Sequence, residues 1–342
     1  MAKKPSYPFQ RIDFGETLEV SPGIHWIRMP LPFALNHINL WLLEDDDGWT
    51  VVDTGYNTEK TRNYWELIFD QLLADNPITR VIVSHFHPDH ASLAGWFAER
   101  WGASIWMTYS EWMQAQLNHF GGPTADIDAR MMFYTENGME KEGTDGYRQT
   151  RPDFSKITLP LPSSFRRMMD GDVLSIGNNN WRVITGAGHS PEHAALWSAD
   201  RNILISGDQV LPRISTNVSL QSNEPDGDPL RLYLQSLKKF RIVGENALVL
   251  PSHDWPFYGL HDRIDALSDH HIDRLESAYE ACFEPQTARE LIPHLFHRKL
   301  DRHQLGFAIG EALAHANYLV TDGRLSKQRD SDGLIRYQHA DN

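Results

Sequence analysis

Residues Val81–Phe97 read VIVSHFHPDHASLAGWF. A short run suited to a buried strand leads directly into His85, His87, Asp89 and His90, and a helix-like run follows from Ser92. This puts the polar turn at the carboxyl end of a strand, where α/β proteins usually build their sites. Alternation sends His85 and His87 to the same side, as two ligands of one ion require. Asp89 and His90 come as the chain turns and could serve a second ion close by. Taken alone, the turn also reads as a solvated polar loop, so the rest of the chain has to decide.

Upstream, GIHWIRMPL (23–31) and HINLWLLEDDDGWTVVDTG (37–55) read as strands, the second folding back at the acidic turn DDDG. TEKTRNYWELIFDQLLAD (58–75) carries Trp65, Ile68, Phe69, Leu72 and Leu73 on one helical face. ASIWMT (103–108) is the next strand. Over 110–165 the pattern changes. EWMQAQLNHF and ADIDARMMFYTENG read as helices rich in Met and aromatic residues, and RPDFSKITLPLPSSF reads as a loop, so this insertion is expected to form a lid or pocket wall. Strands resume with WRVIT, AALWS and ILISGD, then a helix at PLRLYLQSLKKFRIVG and a strand at ALVLPSHD. Two β/α halves packed sheet to sheet with helices outside give an α/β, four-layer αββα catalytic domain over 1–259. Residues 260–342 read as a long amphipathic helix, two further helices and a hairpin, RLSKQR and LIRYQ joined by DSDG. This is a small winged-helix pattern. The adjacent His270 and His271 are expected on a solvated face of the long helix.

The bulk numbers agree with a globular protein. The chain has 342 residues, 41% of them hydrophobic, which suggests about two domains with a large core. The single cysteine, Cys282, excludes a disulfide framework and a Cys-rich zinc ribbon. The start, MAKKPSYPFQ, has no apolar run after its lysines, and no stretch reaches membrane-spanning length, so a cytoplasmic protein without a membrane partner is expected. A net charge of −14 leans against nucleic acid without excluding it. A homo-oligomer stays open.

Three further polar residues close predicted strands or the turns that follow them: His189 in GAGHSPEH, Asp208 in ISGDQV and His253 in PSHDW. Imidazoles and carboxylates without thiolate suit zinc, manganese or iron. In kind and order, His85-x-His87-x-Asp89-His90, His189, Asp208 and His253 resemble the ligand set of the metallo-β-lactamase superfamily of hydrolases. Asp53 in VVDTG and the GHSPEH run at 188–193 match as well, and the resemblance covers about 18–258. The tail resembles the extension of hydroxyacylglutathione-hydrolase-like and mitochondrial endoribonuclease-like members. Glu192 and Ser252 stand where the family usually has glycine.

The resemblance implies that His85, His87 and His189 hold one divalent ion, Asp89, His90 and His253 a second, and that Asp208 bridges them. Zinc is the first expectation, manganese or iron the alternatives. Two cations about 3.5–4 Å apart can share a hydroxide and polarise a carbonyl. Asp89 and Asp208 would then be the catalytic carboxylates. Asp53 could accept a proton from a ligand imidazole, and His193 could support the site without ligating. Arg213, Ser215 and Asn217, which follow Asp208, are candidate substrate contacts. Arg213, which could anchor a substrate carboxylate or phosphate, reads more readily as half of a structural ion pair. His119, in the insertion, and Asn36 and His37, before the first hairpin, read as surface or satisfied residues more readily than as substrate contacts. The leading expectation is hydrolysis of a small acyl thioester or lactone. An endoribonuclease or phosphodiesterase, a mononuclear iron oxygenase and a winged-helix DNA-binding regulator are the rivals.

Overall fold

The computed structural model describes residues 4–73, 76–121, 127–150 and 153–340. The chain forms two compact units. The first comprises Met1–Gly122, Asp153–Thr216 and Ser236–Ile264, and the second Pro123–Pro152, Asn217–Gln235 and Asp265–Asn342.

The first unit opens with strands β1 (Thr17–Ser21), β2 (Ile24–Pro30), β3 (His37–Asp45) and β4 (Gly48–Val52). Helix α1 (Glu59–Ile68), capped by Thr58, leads through a π-helical turn to β5 (Ile78–Ile82). The short α2 (Pro88–Ala91), α3 (Ala94–Trp101), β6 (Ser104–Met107), α4 (Tyr109–Phe120) and, past the second unit's α5 (Ile127–Glu136) and α6 (Lys141–Thr150), α7 (Phe154–Ile157) and β7 (Arg166–Arg167) follow. Strands β1 to β7 lie side by side in chain order. β1–β4 pair antiparallel and β4–β7 parallel.

A second sheet has the order β12-β11-β10-β9-β8, built from β8 (Val173–Ile176), β9 (Asn179–Gly186), β10 (His193–Ser198), β11 (Ile203–Gly207) and β12 (Leu248–Pro251). Period-two alternation divides the first sheet's side chains between two cores. Leu40 and Leu42 join Trp65, Phe69 and Phe97 of the helical layer. Trp41 and Leu43 face the second sheet, where they meet Trp181, Val183, Leu196 and Ile205. All the strand ends that carry polar site residues belong to this unit.

The second unit holds α5, α6, α10 (Ala288–Leu295), α11 (Arg302–Thr321) and the hairpin β13 (Leu325–Arg329)–β14 (Ile335–His339). α8 (Pro229–Lys239) and α9 (Leu260–Ala281) run through both units. Thr287–Glu290 and Asp301–Gln304 close capping boxes at the starts of α10 and α11. α11 packs on α10, α6 and β13.

The expected insertion is shared out: α4 and α7 belong to the first unit, α5 and α6 to the second. Two expected helices run into undescribed residues, at Ala74–Asp75 and at Ala125–Asp126, as does the start of the expected loop at Arg151–Pro152. α6 was not anticipated. Its sequence, KEGTDGYRQT, offers one large apolar residue, Tyr147, and the helix packs on α5 and α11. The solvated face expected for His271 is overturned: it is fully buried, with Nδ1 3.3 Å from His315 Nε2 and its ring against Tyr233. Cys282 is buried just past the end of α9, and burial pushes its thiol up to about 12, so it is an inert core residue. No helix among the described residues is long and apolar enough to cross a membrane.

Candidate metal centre

The loop after β5, the loop between β9 and β10, the end of β11 and the loop after β12 converge. Three groups of side chains each bring their ligand atoms within 4.8 Å of one another: His85, His87 and His189; His85, His90 and Asp208; Asp89, His90 and His253. His87 Nδ1 and His189 Nε2 lie 2.8 and 3.2 Å from His85 Nε2. Nitrogens bound about 2.0–2.1 Å from one tetrahedral cation approach one another at comparable distances. Asp208 lies between the groups. Its Oδ2 is 3.4 Å from His189 Nε2, and its Oδ1 is 3.4 Å from His253 Nε2 and 3.6 Å from His90 Nε2. Asp89 Oδ2 is 3.6 Å from both His90 and His253 Nε2.

The hydrogen-bond network assigns the tautomers. Asp53 accepts from Ser84 N–H at 2.7 Å, from Ser84 Oγ–H at 2.8 Å and from His90 Nδ1–H at 2.8 Å. With its own proton given to Asp53, Ser84 Oγ accepts from His85 Nδ1–H at 3.0 Å. His253 Nδ1–H donates to the His37 carbonyl at 2.8 Å. Each of these imidazoles therefore turns Nε2 inward, the arrangement metal-ligating histidines adopt. His193 is not part of the ligand groups. Its Nε2 accepts the backbone N–H of Asp208 at 3.1 Å and so props up that carboxylate.

The electrostatics suit cations. Burial, reinforced by neighbouring imidazoles, holds His85 and His87 well below the usual histidine range. Burial pushes His193 down to about 3. Burial also opposes charge on His90, but Asp89, Asp53 and Asp208 outweigh it and raise His90 to about 10. His253 is raised mainly by Asp208 against the same burial cost. Asp208 itself is held well below the usual carboxylate range, because His253 and His90 overcome its desolvation. His90 Nε2 and Asp208 Oδ1 are buried without a hydrogen-bond partner. An orphaned buried polar atom costs about 1–3 kcal/mol, and a cation between the two would satisfy both. The residues present thus fit divalent metal.

Other expected residues sit outside these groups. His119 Nδ1 bonds Thr158 Oγ1 at 2.9 Å. Arg213 lies 3.7 Å from Asp254 and over the Trp255 ring, with 56% of its side chain exposed. Asn217 donates to Glu311 and accepts from Ser219, while Ser215 is half-buried and outside the three groups. His37 Nε2 accepts from Asp254 N–H at 2.9 Å and Nδ1–H donates to Asn36, so both residues are satisfied.

Two buried supports were missed. Asn39 on β3 donates to the carbonyls of Pro251 and Asp254 at 2.9 and 2.8 Å, which fixes the loop that carries His253. Glu111 on α4 is fully buried and accepts three hydrogen bonds from the loops that carry His85, His87 and His189. Backbone strain also gathers here. Asp53 and Asp254 adopt φ of 61° and 66°, conformations that Asp tolerates better than most residues and that cluster at functional sites.

The sequence profile of the metallo-beta-lactamase superfamily matches residues 35–253, which span every residue of the three groups. The chain belongs to the metallo-beta-lactamase superfamily. It is a metallo-hydrolase of that superfamily. The profile of the metallo-beta-lactamase-like C-terminal domain matches 275–340. The chain superposes on a beta-lactamase domain protein from Burkholderia ambifaria with TM-score 0.92 and 45% identity over 98% of each chain. A metallo-beta-lactamase family protein from Thermus thermophilus follows at TM-score 0.78 and 28% identity, over 94% of this chain and 100% of that one. Among curated relatives, the probable metallo-hydrolase YqjP of Bacillus subtilis is 26% identical over 86% of this chain and 92% of its own length. The acyl-coenzyme A thioesterase MBLAC2 of Bos taurus is 27% identical over 55% of this chain and 63% of its own. The superfamily's fold class, α/β with two facing sheets and a small C-terminal sheet, is the one expected.

Proposed function

We propose that the protein is a dinuclear metallo-hydrolase of an ester-like carbonyl, with a small acyl thioester as the first substrate class and a lactone as the next. The carrying observation is Asp208, whose two oxygens face two different ligand groups. In this reading His85, His87 and His189 hold one divalent cation, Asp89, His90 and His253 the other, and Asp208 touches both, with zinc ahead of manganese or iron. Cations bound there supply an acidified water and polarise the carbonyl. The chain's own residues do the rest. Asp53, Ser84 and the His37 carbonyl keep the imidazole protons away from the cations. Asp89, whose side chain keeps 19% exposure against 10% for Asp208, would orient the attacking water.

The thioester preference draws on the likeness to a protein named acyl-coenzyme A thioesterase. A small-molecule substrate is further supported by the C-terminal hairpin, which we read as the wing of a winged-helix-like element. Its cations are engaged: Arg324 with Glu276, Lys327 with Asp226, Arg329 with Glu136, and Arg336 with Asp330 and Asp332. A hairpin neutralised in this way offers little to a phosphate backbone. The test is metal analysis of protein purified without added metal, followed by a panel of thioesters, lactones, phosphodiesters and RNA. Turnover of thioesters that is lost on chelation and restored by zinc is expected. One iron per chain with oxygen uptake, or turnover of RNA alone, would overturn the reading.

A further inference from the structure

We propose that Glu111 is the positioning residue of the three-histidine half of the centre, with one buried carboxylate setting the spacing of the two loops that deliver His85, His87 and His189. The role rests on the reading of those imidazoles as ligands of a cation. Glu111 Oε2 accepts the Phe86 N–H at 3.0 Å, and Phe86 lies between His85 and His87. Glu111 Oε1 accepts Ser190 Oγ–H at 2.6 Å and Glu192 N–H at 2.7 Å, directly after His189. The two loops come from different sheets, one after β5 and the other between β9 and β10. Ala194 N–H to the Ser84 carbonyl, 2.8 Å, joins the bases of these loops. Glu111 joins their tips.

The helix that carries Glu111 is itself fastened to the second loop. Thr108 Oγ1 donates to the Glu192 carbonyl at 2.7 Å, and Ser110 N–H donates to Glu192 Oε2 at 3.3 Å. Glu192, where the family usually has glycine, thus acts as a partner of α4. Only a carboxylate suits the position. It is acceptor-only, with lone pairs for three donors at once, whereas a glutamine amide must point N–H groups at one side of the clamp. Glu111 touches neither the reacting atoms nor any ligand side chain in these contacts, so its effect passes through backbone placement alone.

The other half of the centre has separate anchors. Asp53 holds His90, and the His37 carbonyl and Asn39 hold the loop of His253. Loss of Glu111 should therefore be selective. The test is cobalt(II) titration of metal-free wild-type protein, Glu111→Gln and His87→Ala, reading bound metal by equilibrium dialysis and ligand field by visible absorption. Thermal unfolding of each metal-free protein reports the fold. Wild type is expected to bind two ions. Glu111→Gln is expected to weaken one of them by about 10–100-fold, the usual effect of losing a residue that orients a ligand. The second ion keeps its affinity, and adding Glu111→Gln to His87→Ala causes no further loss.

Ser190→Ala removes one of the three donors and leaves both backbone bonds, so it carries the test if Glu111→Gln fails to fold. It should weaken the same ion by a smaller factor. Wild-type affinity for both ions in a folded Glu111→Gln, or in Ser190→Ala if that variant alone folds, would overturn the proposal. So would equal weakening of both ions. Wild-type protein that binds no cobalt would remove the metal centre itself, and this role with it.

Discussion

Asp53 offers the sharpest dissection of the centre, because its carboxylate bonds His90 directly and reaches His85 only through Ser84. Asp53→Asn keeps the size of the side chain and tolerates the φ of 61°. The amide cannot reproduce the bonds. If its NH2 faces His90, it donates to Nδ1 and drives the His90 proton to Nε2, where it points at the cation. If its oxygen faces His90, the NH2 opposes the Ser84 N–H, which sits 2.7 Å from Oδ1 in the wild type. The first arrangement should weaken the ion held by Asp89, His90 and His253 by about 10–100-fold, or about 1.4–2.8 kcal/mol. The second leaves a buried donor unsatisfied, at about 1–3 kcal/mol of stability. Chelator competition reads the first cost, and denaturant unfolding of metal-free protein reads the second. An Asp53→Asn protein with wild-type affinity for both ions and wild-type stability would refute the assigned network.

Three other perturbations test separate parts of the account. Gly207 has φ 55°, and a Cβ there would sit 2.3 Å from His193 Nε2, the acceptor of Asp208 N–H. Gly207→Ala should therefore cost more than the about 1–2 kcal/mol of a left-handed residue and lower metal affinity, and an unchanged Tm would contradict the packing. His119→Ala, by contrast, breaks one bond to Thr158 and should leave metal content at the wild-type level, as measured by elemental analysis. The third concerns acid. Burial holds His271 at about 2 and His315 at about 4, against 6.5 for an ordinary histidine. The unfolded chain then takes up protons that the folded chain refuses, so stability is present above pH 6.5 and is lost as pH falls toward 4. For His315 alone the loss is about 3 kcal/mol. His315→Met should flatten that limb of the stability–pH curve, and a curve that keeps its slope would contradict the buried neutral pair.

The side chains that gather at the centre were legible because each is announced by its local sequence. His85, His87, Asp89 and His90 crowd one turn after an apolar strand, and His189, Asp208 and His253 each follow a strand of their own. Asp53 could be read in the same way, from its place at the end of VVD. The residues that hold these loops apart at the right distance carry no such signal. Thr108-x-x-Glu111 has the spacing of a capping box, a purely local device, yet the carboxylate bonds Phe86, Ser190 and Glu192 instead. Asn39 lies in a strand and reaches Pro251 and Asp254, more than two hundred positions away. His271 looked solvated because the polar stripe of α9 suggested a wet face, but tertiary packing covers it. Helix α6 carries a single large apolar residue and stands by its contacts with α5 and α11. What sequence alone could not supply is which distant segments would become neighbours.

The central claim is that two cations share this centre with Asp208 between them. Anomalous diffraction from crystals of the zinc-loaded protein, recorded on both sides of the zinc edge, tests it most directly. Two peaks are predicted, one among His85, His87 and His189, the other among Asp89, His90 and His253, with one oxygen of Asp208 at each. A single peak, or peaks away from these side chains, would contradict the account.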